Sequence, residues 1–190
     1  PLQTVLAIET ATPYLVLGLL QVADDGSEAI ALEHVERVER AHAELAVPRV
    51  QELLQRAGSP VPTLLVVGAG PGSFTGVRVG ASLALGMARG WGATVVGVPT
   101  LEAIAATVSD GVVAAGLDAR KGNLYGAAYR VRGGLIEETL LAVDKRPREE
   151  FLSTLPPGCA VLEDAPPGGL ALGRLGLRQG RPAPLDLVYL

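Results

Sequence analysis

The chain has 190 residues, which is enough for one large domain or two small ones with a real core. Hydrophobic residues make up 48% and aromatic residues only 4%, so Leu, Val and Ala must fill the core and few side chains can stack on nucleic-acid bases. The net charge of −4, without any Lys/Arg run, argues against the basic face that a protein holding RNA by itself needs. We therefore expect any nucleic acid to be held mainly by a partner.

Cysteine usage and the start of the chain bear on its location. Cys159 is the only cysteine, so no disulfide can form within the chain, which is typical of a reducing cytoplasm. The first residues have neither the basic segment nor the apolar core of a signal peptide. No uncharged apolar stretch reaches the roughly 18 residues of a membrane span. We expect a cytoplasmic protein that does not contact a membrane.

The first 110 residues predict three strands followed by alternating helices and strands. The three strands are expected at Thr4–Glu9, Tyr14–Val22 and Ile30–Val38. Helical spacing of apolar residues predicts a helix over Ala41–Ala57, in which Pro48 should cause a bend or begin a new first turn. The next elements are a strand, a glycine-rich loop, a helix, a strand and a helix, at Val61–Val67, Gly68–Gly76, Val77–Arg89, Thr94–Val98 and 99–109.

After residue 111 the pattern changes. Strands are expected at Val112–Leu117, Asn123–Val131 and Leu135–Leu141, and a short helix at Pro147–Leu155. The tail from Pro156 is rich in Pro and Gly and has weak periodicity, so no element is predicted there. The order βββαβαβα is typical of a ribonuclease-H-like lobe, two of which form the actin-like ATPase fold. We predict this α/β fold, with a first lobe of residues 1–110 and a reduced second lobe of residues 111–190.

The glycine-rich loop is a candidate anion site. It places backbone N–H groups at the N-terminus of a helix, where the helix dipole favours negative charge. The candidate nucleotide- or anion-binding residues there are Gly72, Ser73, Thr75 and Arg78. The loop matches neither the Gly-Lys-Ser/Thr ending of a P-loop nor G-x-G-x-x-G. A tight turn before a capped helix accounts for the same residues, and both interpretations stay open.

The helix after the loop carries small residues at Gly76, Gly80, Gly86 and Gly90. Each glycine inside a helix costs about 1 kcal/mol relative to alanine, so something should offset that cost. Small residues spaced by four let another backbone approach closely. That backbone belongs to a second subunit or to the same domain, and the pattern leaves both open.

The two histidines, His34 and His42, have a spacing of eight that fits no metal-ligand pattern. Cys159 has no evident base beside it, and its neighbours suggest simple packing. We therefore favour structural roles for these three residues and predict no metal site.

Three charged residues lie at strand ends. Glu9 ends the first strand, where actin-like ATPases use a carboxylate to hold the metal–nucleotide; it is alternatively a turn residue that bonds local hydroxyls. Asp118 and Arg120 lie between two strands and form a candidate functional pair, facing each other, a partner or a ligand.

Four segments together resemble the family called TsaB, also known as YeaZ. They are Leu6–Thr12, Arg40–His42, Gly70–Arg78 and Asp118–Arg120. The Pro-Gly-Ser-Phe-Thr-Gly-Val-Arg block is highly specific, and the closing Val188–Leu190 extends the resemblance over the chain. This sequence departs from the family in having Glu9 where Asp is common, and in its shorter second lobe.

The resemblance implies a role in making N6-threonylcarbamoyladenosine (t6A) at position 37 of tRNAs that read ANN codons. In this family TsaB is the non-catalytic partner of TsaD, which transfers the threonylcarbamoyl group, and the ATPase TsaE joins them. It further implies a homodimer in isolation, tRNA contact only through the complex, no intrinsic cofactor, and ATP or ADP at the partner interface. The paired-histidine metal motif of the catalytic paralogue is absent, because Ala46 stands four residues after His42. The alternative is an enzyme of the actin-like superfamily, a nucleotide hydrolase or a peptidase.

In the family the two helices of the first lobe form the dimer surface. Carried onto this chain, the surface comprises His42, Leu45, Arg49, Gly76, Val79, Gly80, Leu83 and Met87. We therefore expect the small-residue face between Gly76 and Gly90 to dock a second polypeptide.

Overall fold

The structure is a computed structural model that describes residues 1–182, so the predicted closing motif at Val188–Leu190 lies outside the described residues. The strands of the first sheet are β1 (Gln3–Glu9), β2 (Tyr14–Val22), β3 (Glu28–Arg37), β4 (Leu64–Gly68) and β5 (Thr94–Val98). The strands of the second sheet are β6 (Gly111–Asp118), β7 (Asn123–Arg132), β8 (Leu135–Pro147) and β9 (Ala160–Glu163), and β10 (Arg181–Pro182) returns to the first. The helices are α1 (His42–Arg56), α2 (Phe74–Trp91), α3 (Thr100–Ala105), α4 (Arg148–Ser153) and α5 (Gly169–Gln179).

The first sheet has the strand order β10-β5-β4-β1-β2-β3. Strands β1, β2 and β3 form an antiparallel meander. On the other side of β1, β4 pairs with it in parallel, and β5 pairs in parallel with β4. Both faces of β1 are buried: Leu6 and Ile8 pack on the side of α1 and α2, whereas Val5 and Ala7 pack on the side of α5. The near-continuous apolar sequences of the central strands follow from this burial on both faces.

The second sheet repeats part of this arrangement with fewer strands. Its order is β8-β7-β6-β9, in which β6, β7 and β8 form an antiparallel meander and β9 lies parallel to β6. This matches the order β3-β2-β1-β4 of the first sheet. One face packs on α3, and Phe151 of α4 fills the other. The predicted actin-like fold with two ribonuclease-H-like lobes, the second one reduced, is confirmed.

Several predicted boundaries are corrected. Helix α1 runs unbroken through Pro48, which therefore does not begin a new helix. Helix α2 begins at Phe74 rather than Val77, because the hydroxyl of Ser73 accepts the Gly76 N–H over 3.1 Å and caps the helix. Helix α3 is shorter than predicted, and strand β8 is six residues longer, ending at Pro147 rather than Leu141.

The tail contains elements that its sequence does not predict. Strand β9 joins the second sheet, whereas α5 and β10 return to the first one. The buried face of α5 includes Gly169, Gly173 and Gly176, so glycines occupy positions where apolar periodicity would be sought. The division at residue 110 stays a prediction, and α5 and β10 pack across it. None of the helices within residues 1–182 has the length and hydropathy needed to cross a membrane.

Candidate functional site

The small-residue face of α2 packs on the protein's own sheet. Gly76, Gly80, Ala84 and Ala88, spaced by four, are all buried. A Cβ on Gly76 would overlap the carbonyl oxygen of Thr10, and one on Gly80 would lie 2.5 Å from its Oγ1. The prediction that Gly76 and Gly80 contact a partner is therefore wrong, since both make room for Thr10 within the same chain.

The other two glycines of this helix lie on its outer side. Both Gly86 and Gly90 are exposed, and a Cβ at either position would meet nothing within 4 Å. The predicted face from Gly76 to Gly90 is thus two surfaces, one turned inward and one outward. Bulk added at Gly80 would disturb the fold and could not report on docking.

His42 is also an internal residue. Its side chain is 5% exposed, and Nε2 lies 2.8 Å from Thr12 O and 3.1 Å from Tyr14 O. Because both partners are carbonyl groups, Nε2 carries the hydrogen and donates it. His42 fixes the chain between β1 and β2 to the start of α1, and its predicted place in the partner surface is wrong.

Glu9 lies in the interior of the first lobe rather than in an open site. It is fully buried, and its Oε2 accepts the Ala11 N–H over 2.9 Å. Its Oε1 has no hydrogen-bond partner among the described residues, and a Cβ on Gly68 would overlap the carboxyl group. Burial raises the pKa of Glu9, which the Thr100 hydroxyl and the amides of Ala11 and Thr10 oppose.

A cleft of about 750 Å³ separates the two lobes. One wall is made by residues 11–13 and the starts of α1 and α2, and the other by the turn after β6 together with Asp164. The cleft brings the predicted anion-binding residues Gly72, Ser73 and Thr75 opposite the predicted pair Asp118 and Arg120. Glu9 does not line this cleft.

The wall of the cleft that belongs to the second lobe is a turn held by two hydrogen bonds. Asp118 Oδ1 accepts the Arg120 N–H over 3.0 Å, and Asp164 Oδ1 accepts the Asp118 N–H over 2.9 Å. Arg120 and Lys121 have φ of 66° and 55°, conformations that non-glycine residues rarely adopt. The carboxylate of Asp118 thus bonds the backbone of Arg120, and both residues line the cleft.

Arg78 does not contribute to the cleft. Its Cζ lies 4.3 Å from the centroid of the Phe74 ring, in a cation–π contact on the outer side of α2. Arg78 is thus separated from Ser73 in the cleft, and its predicted part in anion binding stays a prediction.

A shallow apolar groove, here called the docking surface, runs between α1 and α2. Its lining residues are Ala43, Ala46, Val47, Phe74, Thr75, Arg78, Val79, Ser82 and Leu83. Phe74 is 54% exposed and Val47 43%, and Leu85 nearby on α2 is 48% exposed. Exposed apolar side chains grouped in this way are typical of an interaction site.

The predicted interface residues divide between this groove and the core. Val79 and Leu83 line the groove, whereas Leu45 and Met87 are half-buried against the core beneath it. Arg49 bonds Glu36 of β3 over 2.8 Å. The sequence analysis missed Phe74 and Val47, and recognising Ser73 as a helix cap would have placed Phe74 on the helix surface.

The described residues offer no evident set of metal ligands. Within residues 1–182, no group of three or more His, Cys, Asp or Glu side chains is placed to hold a metal ion.

Comparisons with known proteins bear on this arrangement. A family model described as "TsaD: tRNA N6-adenosine threonylcarbamoyltransferase" matches residues 34–161. The chain is 33% identical over 141 residues to the tRNA threonylcarbamoyladenosine biosynthesis protein TsaB of Bacillus subtilis, covering 72% of this chain and 59% of that protein. It is 38% identical over 132 residues to TsaB of Escherichia coli, covering 66% and 54%. The match thus spans little more than half the length of these two relatives.

A solved structure matches over the whole chain. YeaZ from Pseudomonas aeruginosa superposes with a TM-score of 0.78 and 28% identity, covering 99% of this chain and 100% of that one. The family model, the two relatives and this structure together show the family. The chain belongs to the TsaB (YeaZ) family.

Proposed function

We propose that this chain is a non-catalytic partner subunit of TsaD in the formation of t6A37 on ANN-decoding tRNAs. The relatives named TsaB support the pathway, since their names assign them to threonylcarbamoyladenosine biosynthesis. The acidic net charge of −4 fits a subunit that meets tRNA only through its complex.

The docking surface carries this proposal. Phe74 on α2 and Val47 on α1 are each about half exposed, and they lie on either side of one groove. Aromatic anchors beside aliphatic grooves are enriched in protein interfaces. We assign TsaD to this surface, and the same surface supports a homodimer when TsaD is absent. TsaE would join the assembled pair.

The enzyme alternative finds little support in the side chains. His42 Nε2 is committed to two carbonyl groups, and His34 Nε2 bonds Glu36 Oε1 over 2.7 Å. Burial raises the pKa of the Cys159 thiol, which disfavours the reactive thiolate. Neither histidine nor the cysteine is therefore arranged as a catalytic base or nucleophile, and we favour the non-catalytic role.

One wall of the cleft is the better candidate for holding a nucleotide at the partner interface. The Ala11 N–H is taken by Glu9, and the Ala11 C=O accepts the Ser73 N–H, so Ala11 offers no free backbone donor to a phosphate. The α2 wall fits better: Ser73 and Thr75 lie at the positive end of an 18-residue helix, opposite Arg120. These three residues would hold ATP or ADP, which would supply negative charge beside the docking surface.

The proposal is tested with purified TsaD from the same source. The wild-type chain should form a heterodimer, and Ser82→Arg should weaken it at least about tenfold, because Ser82 lines the groove and is exposed. Ser153→Arg makes the same change at an exposed position of α4 and should have no effect. In cells that depend on this chain, t6A measured by mass spectrometry should fall only with the first variant. Failure of the wild-type chain to bind TsaD would refute the proposal.

A further inference from the structure

The turn between β1 and β2, residues 10–13, is bonded directly to α2. The Ser73 N–H donates to Ala11 O over 2.8 Å, and the Thr10 hydroxyl donates to Gly76 O. Both contacts lie in the first turn of α2, whose outer side begins with Phe74. The position of this wall of the groove therefore follows the position of the turn.

The same turn is bonded to α1. His42, the first residue of that helix, donates from Nε2 to Thr12 O and lies within 3.1 Å of Tyr14 O. His42 is buried, so solvent does not compete for these bonds. Both walls of the docking surface are thus attached to one segment of four residues, and the spacing of the walls depends on its conformation.

One side chain holds this turn from below. The Glu9 Oε2 accepts the Ala11 N–H over 2.9 Å, which fixes the turn at the residue that also receives the bond from α2. The carboxyl group fits only because position 68 is Gly68, where a Cβ would overlap both oxygens.

We propose that Glu9 is a positioning residue for the docking surface: by holding the β1–β2 turn, its carboxyl group sets the spacing of α1 and α2 and so the partner's affinity. The inference rests on the docking surface proposed above and adds a buried residue that no partner touches. It assigns to Glu9 a role other than contact with a metal–nucleotide.

The ionisation of Glu9 gives this role a measurable signature. The groups that act on its pKa are the Thr100 hydroxyl and the amides of Ala11 and Thr10, all uncharged, and burial outweighs them and raises the pKa. The neutral acid is therefore the form that fits the site. Above the raised pKa, ionisation of Glu9 opposes the assembled turn, so partner affinity should fall as the pH rises through that pKa.

The experiment measures the affinity of the full chain for TsaD by calorimetry between pH 5.5 and 9. Wild-type affinity should fall toward high pH by more than in Glu9→Gln, which keeps the shape of the side chain but cannot ionise. In that variant the amide oxygen can still accept the Ala11 N–H. Glu149→Gln, the same change at an exposed position of α4, should retain the wild-type profile.

Gly68→Ala provides a second, uncharged test. Its Cβ displaces the carboxyl group, so affinity should drop about tenfold or more at every pH while circular dichroism shows a folded chain. Should it fail to fold, the pH profiles of wild type and Glu9→Gln decide. Parallel profiles for these two, with no loss of affinity in a folded Gly68→Ala, would overturn the inference. If the wild-type chain binds TsaD and Ser82→Arg abolishes binding, the proposed function survives that result.

Discussion

Helices α2 and α5 lie on opposite faces of the first sheet and approach it by the same means. The inner face of α2 carries Gly76 and Gly80, and that of α5 carries Gly169 and Gly176. Each of these glycines packs where a Cβ would overlap or crowd a neighbouring residue. Small residues here let a helix approach its own sheet, so a stripe of glycines does not by itself indicate a partner.

The outer faces of the two helices differ. Helix α2 exposes Phe74 and Leu85, whereas α5 turns Arg174 outward into a bidentate ion pair with Glu28 of β3. An outer face with exposed apolar side chains is a candidate for docking, while a polar one is suited to solvent. The comparison therefore assigns the partner surface to the outer side of α2 and a purely structural role to α5.

The largest effect is expected from Gly169→Ala on α5. The new Cβ, whose position is fixed by the backbone, would overlap Leu17 O, which is itself a backbone atom and cannot rotate away. We expect a loss of about 3 kcal/mol in the free energy of unfolding, measured by urea denaturation. A loss below about 0.5 kcal/mol would show that α5 does not depend on close approach to β2.

A matched pair on α2 separates its two faces. In Gly80→Ala the Cβ lies 2.5 Å from Thr10 Oγ1, so the crowding should outweigh the gain in helix propensity and destabilise the chain by about 1–2 kcal/mol. In Gly86→Ala the Cβ meets nothing, so the helix should gain about 0.5–1 kcal/mol. Thermal unfolding of both variants measures the contrast. Equal signs for the two would contradict the assignment of inner and outer faces.

The same contrast shows what the sequence could predict. Continuous apolar runs predicted β1 and β2 closely, because their side chains pack on both faces of the sheet, and alternation predicted β3, where half-buried residues alternate with exposed ones. Helix α5 left no such signal, since part of its buried face is glycine, and only the tertiary fold shows that Leu17 and Val66 lie against it. Hydrophobic periodicity detects a helix by its apolar side chains. A helix whose buried face includes several glycines therefore gives only a weak signal.

The sequence predicted several residues of the candidate site, but not which way each of their side chains faces. The loop motif placed Ser73 and Thr75 at a helix start, and the structure brings them opposite Arg120 across the cleft. Sequence spacing alone could not show that Gly80 faces inward or that His42 bonds the turn, since both depend on how each helix is rotated against the sheet. Family resemblance therefore located the two helices, and the packing decided which sides of them are available.

The smallest expected effect concerns the polar side of α5. Arg174 and Glu28 form a bidentate pair over 2.8 Å, and this partner lowers the pKa of Glu28. Because the pair is partly exposed, Glu28→Gln should cost only about 0.5 kcal/mol at neutral pH. A carboxyl group with a lowered pKa stabilises the fold above its ordinary pKa of 4.5, and this contribution is lost as the pH falls through the lowered value. The difference in melting temperature between wild type and variant should therefore disappear in acid. Glu137→Gln, which removes a pair with Arg132 inside the β7–β8 hairpin, serves as the control, and a larger loss there would show that the ion pair of α5 contributes nothing specific to its docking on the sheet.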